Sequence, residues 1–107
     1  MPAIYRSAAA RRDLVEHYVY LAENAGPETA DRFLTCAQSS FEDLARRPAI
    51  GAPLKLRNPA LSGTRKWAVK GFHRFLIFYM PSGDGVTIMR VLHAAQDWWH
   101  ILGMLDE

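Results

Sequence analysis

Cys36 is the only thiol in this chain, so an internal disulfide is excluded, and a small core or semi-buried role within a helix is expected for it. Such sparing use of cysteine fits a reducing cytoplasm. Long apolar runs are missing too: no window approaches the roughly 18 consecutive apolar residues of a membrane-spanning helix. The first residues show no basic segment followed by an apolar run, so neither a membrane span nor a signal peptide is expected. His17, His73, His93 and His100 are scattered, with no cysteine or carboxylate pattern to join them into a metal site. No glycine-rich loop is present to cradle a phosphate, and no cofactor is expected. Repeats and low-complexity tracts are absent.

Acidic residues are scarce in one half. Residues 46–90 hold nine Lys/Arg against one acidic residue, Asp84, whereas residues 1–45 hold four Lys/Arg against seven Asp/Glu. The formal net charge of +2 hides this segregation. So basic a half should attract an anionic partner, either nucleic acid or an acidic protein segment. The plainer reading is a strand edge kept soluble by Lys and Arg.

What is present is apolar and periodic. Half of the residues are hydrophobic, enough for one core, and residues 1–107 read as a single domain. Phe75–Met80 and Val86–Leu92 are β-branched and aromatic runs around Pro81-Ser82-Gly83-Asp84-Gly85, which predicts a hairpin with a loop long enough for a residue at positive φ. Both runs are apolar at nearly every position, so both faces of these strands should be covered. Arg74, Arg90 and His93 interrupt them. A guanidinium inside a central strand needs a partner.

Upstream, Ala3–Arg6 predicts a short strand and Ser7 an N-cap for a helix beginning near Ala8. Leu14, Val15, Tyr18, Leu21 and Ala22 mark its apolar face, with Arg11, Arg12, Asp13, Glu16 and Glu23 mostly on the other. Gly26-Pro27 ends it. A second helix from about Glu28 carries the stripe Ala30, Phe33, Leu34, Ala37, Phe41, Leu44 and Ala45, and Pro48 stops it after Arg46-Arg47. Ala49 to Gly63 reads as a surface loop. Thr64–Lys70 alternates, with Arg65, Trp67 and Val69 on one face and Lys66, Ala68 and Lys70 on the other. Trp98–Leu105 predicts a short C-terminal helix. The predicted fold is α+β, in the order β-α-α-β-β-β: an antiparallel helical hairpin on one face of a mostly antiparallel four-stranded sheet.

This order of elements, together with Leu44-Ala45-Arg46-Arg47-Pro48 followed by Gly51, the run Arg74-Phe75-Leu76-Ile77-Phe78-Tyr79, and Ile88-Met89-Arg90-Val91-Leu92-His93 ending in Gln96-Asp97, resembles the RelE/ParE superfamily over essentially the whole chain. These are toxins of bacterial type II toxin–antitoxin systems, also called plasmid stabilisation proteins. The resemblance implies a cytoplasmic growth-inhibiting toxin neutralised by a cognate antitoxin. In the ParE branch that antitoxin is ParD-like: a ribbon-helix-helix module with an acidic C-terminal tail that wraps the toxin, so DNA is touched only through the antitoxin.

Two activities divide the superfamily. RelE-like members are ribosome-dependent mRNA endoribonucleases; cleavage through the 2′-OH needs a proton acceptor, cations for the transition state and a donor to the leaving oxygen. Such members carry a tyrosine near the C-terminus, and this chain has none after Tyr79. Arg74, Arg90 and His93 are the residues a nuclease would have to use, with His100 a further imidazole. The missing tyrosine favours the ParE-like alternative, poisoning of DNA gyrase, a function without catalysis. A binding domain that kept the fold and lost toxicity is the third reading. For antitoxin binding the expected residues are Lys66, Trp67, Arg74, Phe78, Arg90 and Trp98, on a sheet face left open by the helices. Arg74 and Arg90 would fork onto its carboxylates; alternatively Arg90 pairs internally, with Asp97.

Overall fold

The computed structural model describes residues 2–102. Its elements are β1 (Ala3–Arg6), α1 (Ala8–Ala25), α2 (Pro27–Arg46), β2 (Ala52–Pro53), a 3-10 turn (Pro59–Leu61), β3 (Arg65–Val69), β4 (Phe72–Ser82), β5 (Gly85–His93) and α3 (Trp98–Leu102). The predicted continuation of the last helix to Leu105 lies outside the described residues. No helix among them is long and apolar enough to cross a membrane.

Ser7 ends β1 and starts α1. Its Oγ accepts from Ala10 N–H at 2.9 Å and donates to Met89 C=O at 2.7 Å, so one hydroxyl caps the helix and ties it to β5. Gly26 alone separates the two helices, at φ 95°, a conformation that glycine adopts without strain. In α2 the residues Ala30, Phe33, Ala37, Phe41, Leu44 and Ala45 are buried, as the periodicity predicts, while Leu34 stays exposed. On α1 the prediction needs correcting. Asp13, assigned to the polar face, is buried, and Val15, assigned to the core, is 63% exposed.

The sheet is five-stranded and mixed, in the order β1-β5-β4-β3-β2, rather than four-stranded and mostly antiparallel. The β3–β4 and β4–β5 pairs are antiparallel, but β1 runs parallel to β5, because the helical hairpin and not a tight turn separates it from the strands that follow. β2 is a two-residue strand inside the predicted loop. The central hairpin turns more tightly than expected: Ser82 pairs with Gly85, leaving only Gly83 and Asp84 between, and neither takes a positive φ. Gly85 is there for another reason. A Cβ on it would sit 1.8 Å from Ala3 C=O, so its lack of a side chain lets β1 reach the sheet.

Two apolar clusters result. Val69, Phe75, Ile77, Tyr79, Val86, Ile88 and Val91 meet the helices. Phe78 and Leu92 face the other way and meet Leu102 and Trp98 of α3, with Leu54, Leu56 and Leu76. The expectation that helices cover only one face holds, yet the second face is not open: Phe78 and Leu92 are fully buried under the chain's own tail and the 54–56 segment.

Candidate functional site

β1 pairs with β5 only as far as Ile88, so the next edge groups of β5 would be bare. α1 supplies what a strand would have supplied. Val91 N–H donates to Asp13 Oδ2 at 3.0 Å, and His17 Nε2 donates to Val91 C=O at 2.7 Å. A carbonyl can only accept, so the His17 proton sits on Nε2. Arg90 closes the arrangement with a bidentate fork onto Asp13, Nε to Oδ2 at 2.8 Å and Nη2 to Oδ1 at 2.9 Å. That hydrogen-bonded carboxylate holds the guanidinium pKa above its ordinary value. Arg90 is therefore satisfied from within, by Asp13 and not by the expected Asp97, which pairs with His100. Its fork is not held out to a guest.

The other residues expected at a partner site fall into distinct places. Phe78 and Trp98 pack on each other at 5.3 Å between ring centroids, and Lys66 Nζ lies 5.1 Å over the Trp98 ring. These three form the seam that holds α3 to the sheet. Arg74 lies in β4 where the pairing with β3 skips from Leu76 to Phe72, and it is exposed. Trp67 pairs in register with Ile77, which puts it on the helix side.

Trp67 and Lys66 nevertheless meet at one feature. β2 pairs with β3 only at Arg65 and Lys66, so among the described residues no strand covers the outer side of Trp67–Val69. A groove of about 530 Å³ wraps this bare edge. Trp67, Ile50, Ala68 and Leu76 give it apolar walls, and Lys66 and Lys70 give it a cationic rim, with Asp43 and His73 beside them. Lys70 Nζ is held 3.0 Å from Asp43 Oδ2, and that hydrogen bond pulls the Asp43 carboxyl below its usual pKa. An exposed strand edge with apolar walls can accept one more strand of extended chain through its main-chain groups.

The nuclease candidates do not all converge. His93 pairs with Phe75 on the helix side, its ring edge-on to Phe75 at 4.9 Å, and Arg74 is near enough for its charge to act on it, whereas Arg90 is bound to Asp13. His93 Nδ1 accepts from Ala95 N–H, so the neutral ring carries its proton on Nε2. Burial, then the charges of His17 and Arg74, push its pKa below the ordinary histidine value. Tyr79 is also committed to structure. Fully buried, it donates to Pro48 C=O at 2.7 Å and accepts from Gly51 N–H at 2.9 Å, and burial raises its pKa. No group of three or more His, Cys, Asp or Glu among the described residues is placed to hold a metal ion.

Asp13, His17, Lys70 and the bare edge of β3 did not stand out in the sequence. Asp13, His17 and Leu21 are four residues apart on one helix face, and a polar pair in line with a buried leucine was the available signal.

The chain is similar in fold to a chain of the "Chromosomal ParDE TA system from P. aeruginosa", at 20% identity, TM-score 0.69, covering 87% of this chain and 96% of that one. It is also similar to a chain of the "YoeB-YefM complex from Staphylococcus aureus", at 20% identity and TM-score 0.53, covering 87% and 97%. No curated relative matches the chain. The family described as "ParE toxin of type II toxin-antitoxin system, parDE" matches residues 4–98, and the chain belongs to that family. Its role is that of a toxin.

Proposed function

We propose that this toxin acts in the cytoplasm by poisoning DNA gyrase, and that at rest it is neutralised by a ParD-like antitoxin. That antitoxin has a ribbon-helix-helix DNA-binding part and an acidic tail, and the tail lies along the bare edge of β3. Membership of the ParE toxin family supports the toxin role, and both structural relatives come from toxin–antitoxin complexes. The observation that carries the choice of target is the commitment of Arg90 to Asp13. Of the three nuclease candidates that leaves Arg74 as the single guanidinium that could meet a scissile phosphate beside His93.

The experiment is reconstitution. Purified chain added to gyrase and supercoiled plasmid should stabilise cleaved DNA and halt supercoiling, and induction in a bacterium should cause filamentation with DNA-damage signalling. Rapid translation arrest with cut messages, and no effect on gyrase, overturns the proposal in favour of a RelE-like nuclease.

A further inference from the structure

Ala8, Arg12, Val15, Val19 and Glu23 recur at steps of three and four residues along α1, and all of them are exposed. Val15 forms a ridge with a groove on either side, one reaching Ala8, Arg11 and Arg12, the other walled by Leu14, Tyr18 and Leu34. With Val19 also 47% exposed, this is an apolar seam of the width used when two helices pack together.

The charges beside the seam oppose the helix's own field. Arg12 stands one turn in from the partially positive N-terminal end, and Glu23 stands in the last turn, where the backbone is partially negative, while Arg11 Nη1 donates to Arg6 C=O at 2.9 Å. The first turn holds no acidic residue and the last turn no basic one. An acidic partner segment would relieve only Arg12. The same helix running in the opposite direction would relieve both ends.

The spacing supports that partner. Val15 and Val19 lie equally far on either side of position 17, and so do Arg11 and Glu23, with Arg12 one residue nearer. We propose that this face of α1 is a homodimer interface, an antiparallel pair of α1 helices crossing at the level of position 17. Val15 then packs on Val19 of the partner subunit, and Arg12 lies beside Glu23 of the partner subunit. A single helix pair falls short of the roughly 1,200–2,000 Å² of a standard interface, so the dimer is weak and concentration-dependent. The site is separate from the β3 groove, and the inference does not depend on the gyrase reading.

The test is sedimentation equilibrium of the full chain, recovered from its coexpressed antitoxin and refolded, over about 5–200 µM. The mean mass should rise from one copy toward two. Val15→Asp should abolish the rise, and Arg12→Glu or Glu23→Arg alone should weaken association about tenfold, whereas the double swap should restore it to within about threefold. All three positions are exposed, so circular dichroism should show an unchanged fold. A single-copy mass at every concentration, or a double swap no better than the single ones, overturns the proposal.

Discussion

Asp13 does three jobs with one carboxylate: it receives both arms of Arg90 and the free N–H of Val91. Only 7% of its side chain is exposed, against 29% for Arg90, so the pair is drier at the acid end. Removing one member of such a pair leaves the other charged and under-solvated, which costs more than the pair contributes. Asp13→Ala is therefore expected to destabilise the fold by about 2–4 kcal/mol, and Arg90→Ala by less, because Asp13 keeps its bond to Val91. The double variant should cost less than the sum of the single ones by more than about 0.5 kcal/mol. Urea denaturation of the four proteins measures this directly. Strict additivity would mean that the two side chains do not sense each other, and Arg90 would again be available to an anion.

The same logic at the level of elements explains how β1 can be so short. A strand of four residues pairs with β5, and beyond it α1 replaces the missing strand with Ser7, Asp13 and His17. The approach of β1 requires Gly85. Gly85→Ala is expected to push β1 off the sheet and cost about 3 kcal/mol or more, whereas Gly83→Ala, one residue before the intervening Asp84, meets nothing within 4 Å and should stay within about 0.5 kcal/mol. Thermal unfolding of the two variants, with amide exchange on Tyr5 and Ser7, whose N–H groups face β5, distinguishes them; equal losses would show that the close approach of β1 is not what Gly85 serves. Much of this layout was legible in the chain. The stripe Phe33–Ala37–Phe41–Leu44 and the Ser7 cap are local signals, and local periodicity reports them faithfully. The parallel placement of β1, the two-residue β2 and the burial of Asp13 are set by partners far away in sequence, which no window contains. The candidate site divided along the same line. Lys66 and Trp67 do share a groove, but Phe78 and Trp98 do not join them there, because they close the other face with α3, and Arg90 is held by Asp13.

For the whole molecule, the segregation of charge decides how a partner arrives. Residues 46–90 hold nine Lys/Arg against one acidic residue, and Lys66 and Lys70 among them rim a groove whose walls are apolar, so attraction and grip are supplied by different atoms. Long-range attraction is screened over roughly 10 Å at 0.1 M salt, while apolar burial and main-chain pairing are not. If an acidic extended segment adds to β3, its binding should weaken about 10–100-fold between about 50 and 500 mM salt, mainly through slower association. Arg74→Ala should flatten that salt dependence. Trp67→Ala should weaken binding about tenfold at every salt concentration, mainly through faster dissociation, because it removes a wall and not a charge. N-methylation of alternate residues in the bound segment should abolish binding, since strand addition uses every second backbone N–H. Calorimetry and stopped-flow on the cognate antitoxin's tail peptide separate these terms. Binding that ignores Trp67 and tolerates N-methylation would move the partner away from the β3 edge, even if it remained salt-sensitive, because the basic surface alone would attract an acidic chain without choosing a register for it.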